Sequence, residues 1–304
     1  MNDNFSIIWA GRQIKSPQLF LYVASAVKYL KNIGIEASDR IVLCANTSVE
    51  YVIVLLALWQ MKVITAPVNP RWPTQTITSY ASRINARRIF NASDIKQACC
   101  FDPRQQVEAG LGLLDFDLTQ QVTIMATSAS SGEPKAVLHT WGNHFYSAQG
   151  SNELIPLKTT DRWLLSLPLY HISGIAIVVR CLLAGAGLVI GGPEEIVSTM
   201  ERGKVSHVSL VSTQLHRFLN DDKTNKILHS LKCILLGGSA ISSKVIERCA
   251  DLGLNVYLSY GLTEMCSQVA TGRVCSNGKS AVKVLAWRQL SIYDREEILV
   301  KGEV

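Results

Sequence analysis

Short apolar runs recur along this chain with helix-patterned segments between them, and that alternation narrows the possible folds more than any other feature. The runs are Arg40 to Ala45, Val63 to Val68, Val122 to Ala126, Trp163 to Leu167, Gly187 to Ile190, His207 to Val211, Cys233 to Leu236 and Val256 to Ser259. Strands apolar on both faces must be covered on both faces, and parallel strands need crossover connections, which the intervening helices supply. The pattern predicts an α/β fold with mainly parallel sheets. Ser16-Pro17 reads as an N-cap followed by Pro at the first helical position, with Leu19, Phe20, Val23, Val27 and Leu30 at helical spacing up to Gly34. Asn46-Thr47-Ser48 turns the chain into a buried helix over Val49 to Met61, and Ser242 to Leu252 is a further helix. Asp102 to Asp117 is weakly periodic and fits a surface connection between two halves. After Gly272 short alternating segments, such as Ala281 to Leu285 and Glu297 to Val300, predict antiparallel strands.

At 304 residues, 48% apolar and 18% charged, the chain can bury a sizeable core and lies far from the disordered regime. Its net charge of +6 is spread among 24 acidic residues. In the densest basic group, Arg83, Arg87 and Arg88, the spacing of the first two puts them on one helical face, read as solvated, so no nucleic-acid partner is expected. Eight cysteines, at positions 44, 99, 100, 181, 233, 249, 266 and 275, include no CxxC pair and no zinc-ligand spacing with histidine. They read as free thiols in a reducing, cytoplasmic setting. No leader opens the chain, because Met1 to Phe5 is polar. Tyr51 to Val68 and Ile172 to Ile190 are too interrupted to span a bilayer, the first by Gln60, Lys62 and Pro67, the second by Arg180 among glycines. Nothing in the sequence sets the oligomeric state.

Three segments carry chemistry. Thr127-Ser128-Ala129-Ser130-Ser131-Gly132-Glu133-Pro134-Lys135 follows a strand and precedes the apolar run Ala136 to His139. Such a turn can aim backbone N–H groups, the hydroxyls of Thr127, Ser128, Ser130 and Ser131, and the Lys135 cation at a phosphate chain, with Gly132 giving the backbone room. Standing alone, the same composition also fits a Ser/Gly-rich linker. The strand Cys233 to Leu236 runs into Gly237-Gly238-Ser239, where a flat base could approach the backbone or the chain could simply turn. Val256 to Ser259 delivers Tyr260-Gly261-Leu262-Thr263-Glu264, in which Tyr260 can stack on a base, Thr263 can bond a phosphate oxygen and Glu264 can hold Mg²⁺.

With these three motifs in this order, the chain from about Leu19 to Val304 resembles the adenylate-forming superfamily of acyl- and aryl-CoA ligases, luciferases and peptide-synthetase adenylation domains. The resemblance implies the large N-terminal AMP-binding domain over residues 1–304: two mainly parallel sheets flanked by helices, with subdomains at roughly 1–115 and 116–271 and a small β region over 272–304. It implies ATP, Mg²⁺ and CoA as cofactor and co-substrates, Thr127 to Lys135 as phosphate loop, Gly237-Gly238-Ser239 as adenine turn and Tyr260 to Glu264 as the motif bearing Gly261, catalytic Thr263 and metal-binding Glu264. Lys135 joins the catalytic set. Leu165 to Gly174, together with Ser209 to Leu215, is most similar to the 2-succinylbenzoate:CoA ligases of menaquinone and phylloquinone synthesis. That likeness implies a small-molecule carboxylic acid as partner, with His171 lining an acyl and CoA tunnel and Gly174, Ser209 and Thr213 around the acid. A lone histidine at this spacing also fits a satisfied core position. The acid's second carboxylate needs a cation, for which Arg180 and Arg217 are the candidates, each equally able to snorkel to the surface.

Two departures from the family pattern bear on mechanism. Ala129 stands where the phosphate loop usually has Gly, which matters if that residue needs positive φ. Val304 comes before the expected ribose-binding aspartate, hinge and small C-terminal lid with its catalytic lysine, so the expectation is ATP binding with slow turnover. A non-catalytic ATP- or acyl-binding remnant, or a ligase for another aryl or fatty acid, stays open at this point. A P-loop NTPase is excluded, because Gly278-Lys279-Ser280 has Arg273 where a second Gly is required, and no G-x-S-x-G elbow occurs.

Overall fold

A computed structural model describes residues 4–100, 117–127, 134–191, 196–276, 278–294 and 297–303. The chain begins with β1 (Ser6–Trp9), β2 (Arg12–Lys15), α1 (Ser16–Asn32), β3 (Arg40–Cys44), α2 (Val49–Gln60), β4 (Ile64–Pro67), α3 (Thr74–Arg83), β5 (Arg88–Asn91) and α4 (Ala92–Ala98). A hairpin of β6 (Gln121–Thr127) and β7 (Lys135–Thr140) follows, then α5 (Trp141–Leu154), β8 (Arg162–Leu164), α6 (Ile172–Ala184), β9 (Gly187–Ile190) and α7 (Ile196–Arg202). Next come β10 (His207–Leu210), α8 (Ser212–Leu219), α9 (Asp222–Ser230), β11 (Cys233–Leu236), α10 (Ser243–Asp251) and β12 (Val256–Leu262). β13 (Ser267–Arg273), β14 (Lys283–Val284), β15 (Arg288–Tyr293) and β16 (Glu297–Gly302) complete the described chain.

Among the described residues, five strands in the order β5-β3-β4-β6-β7 form one sheet, parallel except for β7. A larger sheet runs β14-β13-β12-β11-β10-β8-β9-β1-β2, parallel from β12 to β1 and antiparallel at both margins. β1 and β2 thus join the larger sheet although they precede residue 115, and β6 and β7 join the smaller although they follow it.

The two-residue side-chain period of strands builds the layers. Ile41 and Leu43 of β3 face the core between the sheets, where α1, α2, α5 and α6 pack, while Val42 faces α3 on the other side with Ile77 and Tyr80. In β11, Leu235 points into that central core and Ile234 and Leu236 point outward to α8 and α10. Sheets covered by helices on both faces are what apolar strands without a polar side require. α2 sits deepest: every residue from Val49 to Trp59 except Glu50 is buried, so it is apolar all round. Ser48 caps it by accepting from the Tyr51 N–H at 3.1 Å.

Local expectations shift in four places. Lys15, not Ser16, is the N-cap of α1; the Ser16 hydroxyl donates instead to the buried Phe5 carbonyl at 3.2 Å, which has the stronger claim on it. β8 stops at Leu164, because Ser166 turns back to bond the Leu164 carbonyl ahead of Pro168. β12 runs on to Leu262 through an irregularity at Tyr260/Gly261 before a single 3₁₀ turn over Thr263–Met265. Antiparallel pairing starts at Ser267, ahead of Gly272. No described helix is long and apolar enough to cross a membrane.

Candidate active site

A cavity of about 620 Å³ opens where the parallel strands of the larger sheet end. Its wall takes Ser209, Leu210 and Val211 from the end of β10, Leu235, Gly237 and Gly238 from the end of β11, and Ser259, Gly261, Leu262 and Thr263 from β12 and its turn. Open α/β sheets bind ligands at this carboxyl edge, because the loops leave it while the strands hold their roots. Leu167, Pro168, His171, Ile172 and Ser173 supply the side formed by the start of α6, and Ala126 and Thr127 bring in the end of β6 from the smaller sheet.

Arg180 reaches the same wall from within α6, nine residues beyond His171 and so roughly 13 Å further along the helix axis. It is 2% exposed, its guanidinium lies 5.4 Å from the centre of the Trp163 ring, and its Nε has no hydrogen-bond partner. Burial pulls its pKa down to about 10, so it remains a cation at neutral pH. Gln268 of β13, also 2% exposed, gives its Nε2–H to Thr271 Oγ1 at 2.7 Å and leaves Oε1 unpartnered at the cavity wall. Each orphaned buried polar atom costs roughly 1–3 kcal/mol, more for a charge. The orphaned Arg180 donor therefore favours a ligand that carries an anion, while Gln268 Oε1 can take only a hydrogen-bond donor.

Thr127, Gly237, Gly238, Gly261 and Thr263 lie in the wall as the motifs predict, and Ser209 does too, its hydroxyl accepting from Trp163 Nε1 at 3.1 Å. Gly261 is required by close approach: a Cβ there would stand 1.8 Å from the Ser267 carbonyl oxygen. Tyr260, Ser239 and Glu264 are exposed and outside the wall, and so is Lys135, the first residue of β7. Ser128, Ala129, Ser130, Ser131, Gly132 and Glu133 lie outside the described residues. The hairpin that carries them is anchored by Arg83, whose guanidinium donates to the Pro134 carbonyl. His171 stands exposed at the wall beside Tyr170, with ring centres 4.7 Å apart, and partial burial of its ring lowers its pKa below 6.5.

Three expected contacts are not made. Arg217 and Thr213 are exposed on α8, because Leu215, Phe218 and Leu219 occupy its buried face and turn both residues to water. Gly174 is buried behind the wall, where a Cβ would meet the Pro168 carbonyl oxygen at 2.2 Å; its role is to let α6 pack on the Pro168 turn. Conversely, Gln268, Gln214 and Ser173 line the cavity without having been singled out from sequence. Gln214 is also structural, accepting from the Val211 N–H at 3.0 Å. Only its position three residues after Val211, as in a capping box, could have flagged it.

The family model described as AMP-binding enzyme matches residues 2–304. Among curated relatives, the 2-succinylbenzoate–CoA ligase of Bacillus pumilus is 39% identical over 160 residues, which make up 52% of this chain and 32% of that protein. A solved E. coli MenE variant with bound OSB-AMS superposes with a TM-score of 0.84 at 27% identity, covering 98% of this chain and 66% of that one. The o-succinylbenzoate coenzyme A synthetase of Bacillus subtilis in complex with ATP and magnesium ion gives a TM-score of 0.83 at 24% identity, covering 98% and 68%. The chain thus spans from about a third to two thirds of the length of these relatives. With a family model matched along almost its whole length and the motifs gathered at one strand edge, the chain belongs to the AMP-binding enzyme family.

Proposed function

We propose that this chain forms the nucleotide- and acid-binding body of an ATP-dependent acid:CoA ligase, with 2-succinylbenzoate as the acid, joined to the adenylate and then to the CoA thiol. The observation that carries the reading is the buried Arg180 in the cavity wall, its Nε without a hydrogen-bond partner among the described residues. A dicarboxylate aryl acid can leave one carboxylate on the Arg180 guanidinium and present the other toward the cavity mouth. In the first step a carboxylate oxygen forms a bond to the α-phosphorus while the bond to the β-phosphate oxygen breaks and pyrophosphate leaves. In the second the CoA sulfur bonds the acyl carbon, the acyl–phosphate C–O bond breaks, AMP leaves and the thiol proton passes to a base.

Each part falls to residues already described. Gly237 and Gly238 leave room for a flat base, Tyr260, exposed beside the wall residue Gly261, is available to stack on it, and Thr127 and Thr263 offer hydroxyls to the phosphates. Lys135, exposed at the start of β7, adds a cation for them. Glu264, an exposed carboxylate next to Thr263, is a hard oxygen donor of the kind Mg²⁺ takes. Bound there, Mg²⁺ neutralises charge on the phosphates. His171, its ring kept neutral by partial burial, is placed at the acid end of the mouth as the base facing the thiol. The eight free cysteines suit a reducing cytoplasm.

The test is a binding and activation panel on the 304-residue chain. Calorimetry should show binding of ATP with Mg²⁺ and of succinylbenzoate, and acid-dependent ATP–pyrophosphate exchange should favour succinylbenzoate over benzoate and fatty acids by about tenfold or more. Equal response to acids with one and with two carboxylates would overturn the acid assignment, and failure to bind ATP would overturn the whole reading.

A further inference from the structure

Behind the cavity, four buried side chains form a continuous chain of hydrogen bonds between the two sheets. Cys266 Sγ lies 3.2 Å from His144 Nδ1; His144 Nε2 lies 2.7 Å from Thr123 Oγ1; Thr123 Oγ1 lies 3.4 Å from His139 Nδ1; His139 Nε2 lies 2.7 Å from the Thr263 carbonyl. The last partner orders all the protons. A carbonyl can only accept, so His139 carries its proton on Nε2, and the neutral ring then accepts at Nδ1 from the Thr123 hydroxyl. That hydroxyl, having spent its proton, accepts from His144 Nε2–H, and His144 Nδ1 accepts from the Cys266 thiol. Every proton along the path is used once, and all run in one direction.

The same three donors, His139, His144 and Cys266, have ligand atoms within 4.8 Å of one another and could be taken for a metal site. Every one of those atoms is engaged in the chain, all three residues are fully buried, and the described residues offer no fourth ligand. Hydrogen bonding accounts for the arrangement.

Thr123 and His139 are cross-strand neighbours in the β6–β7 hairpin, whose last described pair is Thr127 with Lys135, whereas Thr263 and Cys266 bound the 3₁₀ turn that carries Glu264. Within the turn the Cys266 N–H donates to the same Thr263 carbonyl at 2.9 Å, and the other holds come from outside it. Cys266 and Ser267 have φ of 52° and 95°, a conformation unfavourable without glycine, and the Cys266 and Met265 carbonyls are pinned from outside by Ser147 Oγ at 2.6 Å and Arg288 Nη2 at 3.2 Å.

We propose that His139 is a positioning residue: through Thr263 it locks the Thr263–Glu264 turn to the β6–β7 hairpin, and so sets the distance between Thr127, at the end of β6, and Thr263, the two hydroxyls offered to the nucleotide phosphates. The last clause rests on the function proposed above; the lock itself does not. The experiment compares His139→Leu, which keeps bulk and removes both ring nitrogens, with His139→Gln, whose amide N–H can still reach Thr263, and with Thr123→Val, which deletes only the middle hydroxyl. In the 304-residue chain, amide exchange over Thr263 to Ser267 should quicken about tenfold in His139→Leu and Thr123→Val while β10 and β11 stay protected, and His139→Gln should restore most of the protection. Affinity for ATP with Mg²⁺ should fall about tenfold in the same two variants, with succinylbenzoate affinity within about twofold of the parent. Unchanged exchange in folded Thr123→Val, exchange rising equally through both sheets, or a stoichiometric metal in the purified parent would each overturn the proposal. A parent chain that binds no ATP would count against the nucleotide reading alone, and the exchange result would still decide the lock.

Discussion

Arg180 is the most exacting residue of the site, because a buried cation without a counter-ion destabilises the empty protein and is relieved only by an anion. Two opposite effects follow from one substitution. Arg180→Met should raise thermal stability by about 1–4 kcal/mol in the unliganded chain, measured by denaturant unfolding, while weakening succinylbenzoate binding by about 3–5 kcal/mol and leaving ATP affinity unchanged. Arg217→Ala, on the exposed face of α8, should change none of these. Sequence chemistry could nominate both arginines, since the acid's second carboxylate needs a cation and each arginine falls in a helical segment. Choosing between them needed the facing of α8, which Leu215, Phe218 and Leu219 already hinted at. Gln268 had no such signal: its meaning depends on β13 turning back beside β12, a long-range event.

At the scale of elements, the alternation of apolar runs marked almost every strand of the parallel core to within a few residues, because burial on both faces leaves a strand no polar option. Two things escaped it. The place of β1 beside β9, with β2 at the margin, depends on a pairing between chain segments far apart. The proton-ordered path from Cys266 to Thr263 joins residues scattered from Thr123 to Cys266, none of them in a recognisable spacing. Close backbone approach was hidden too. Gly261→Ala must push the Ser267 carbonyl aside, and we expect it to cost about 1–3 kcal/mol of stability and to broaden or abolish nucleotide binding, read by urea titration alongside calorimetry. Gly174→Ala, which strikes the Pro168 carbonyl, should cost as much but disturb acid binding instead, since His171 and Ser173 flank it.

For the molecule as a whole, buried neutral histidines predict a particular acid response. Burial lowers the pKa of His139, His144 and His207 below the ordinary 6.5; beside His144 the neighbouring His139 adds to the effect. In the unfolded chain these rings take up protons as the pH falls past 6.5, while in the folded chain they do so only at lower pH. Stability is therefore complete above pH 6.5 and is lost as the pH drops below it, by up to about 1.4 kcal/mol per pH unit for each ring. Chemical denaturation at pH 7.5, 6.5 and 5.5 should show that steepening, and His144→Leu, if it folds, should flatten it. The oxygens of Asp161, held by Lys232 at 2.6 Å, titrate below this window and do not confuse the measurement.

Arg180 projects from the body of α6, whereas the segments proposed to face the nucleotide come from the ends of β6, β11 and β12. On the function proposed above, a chain built this way can exchange one organic acid for another by altering a single helix and its neighbours, with the energy-yielding half of the reaction left untouched. Diversification of such proteins would then be expected to leave its marks along α6 and at Gln268 before anywhere else, each new side chain answering the charge pattern of a different acid.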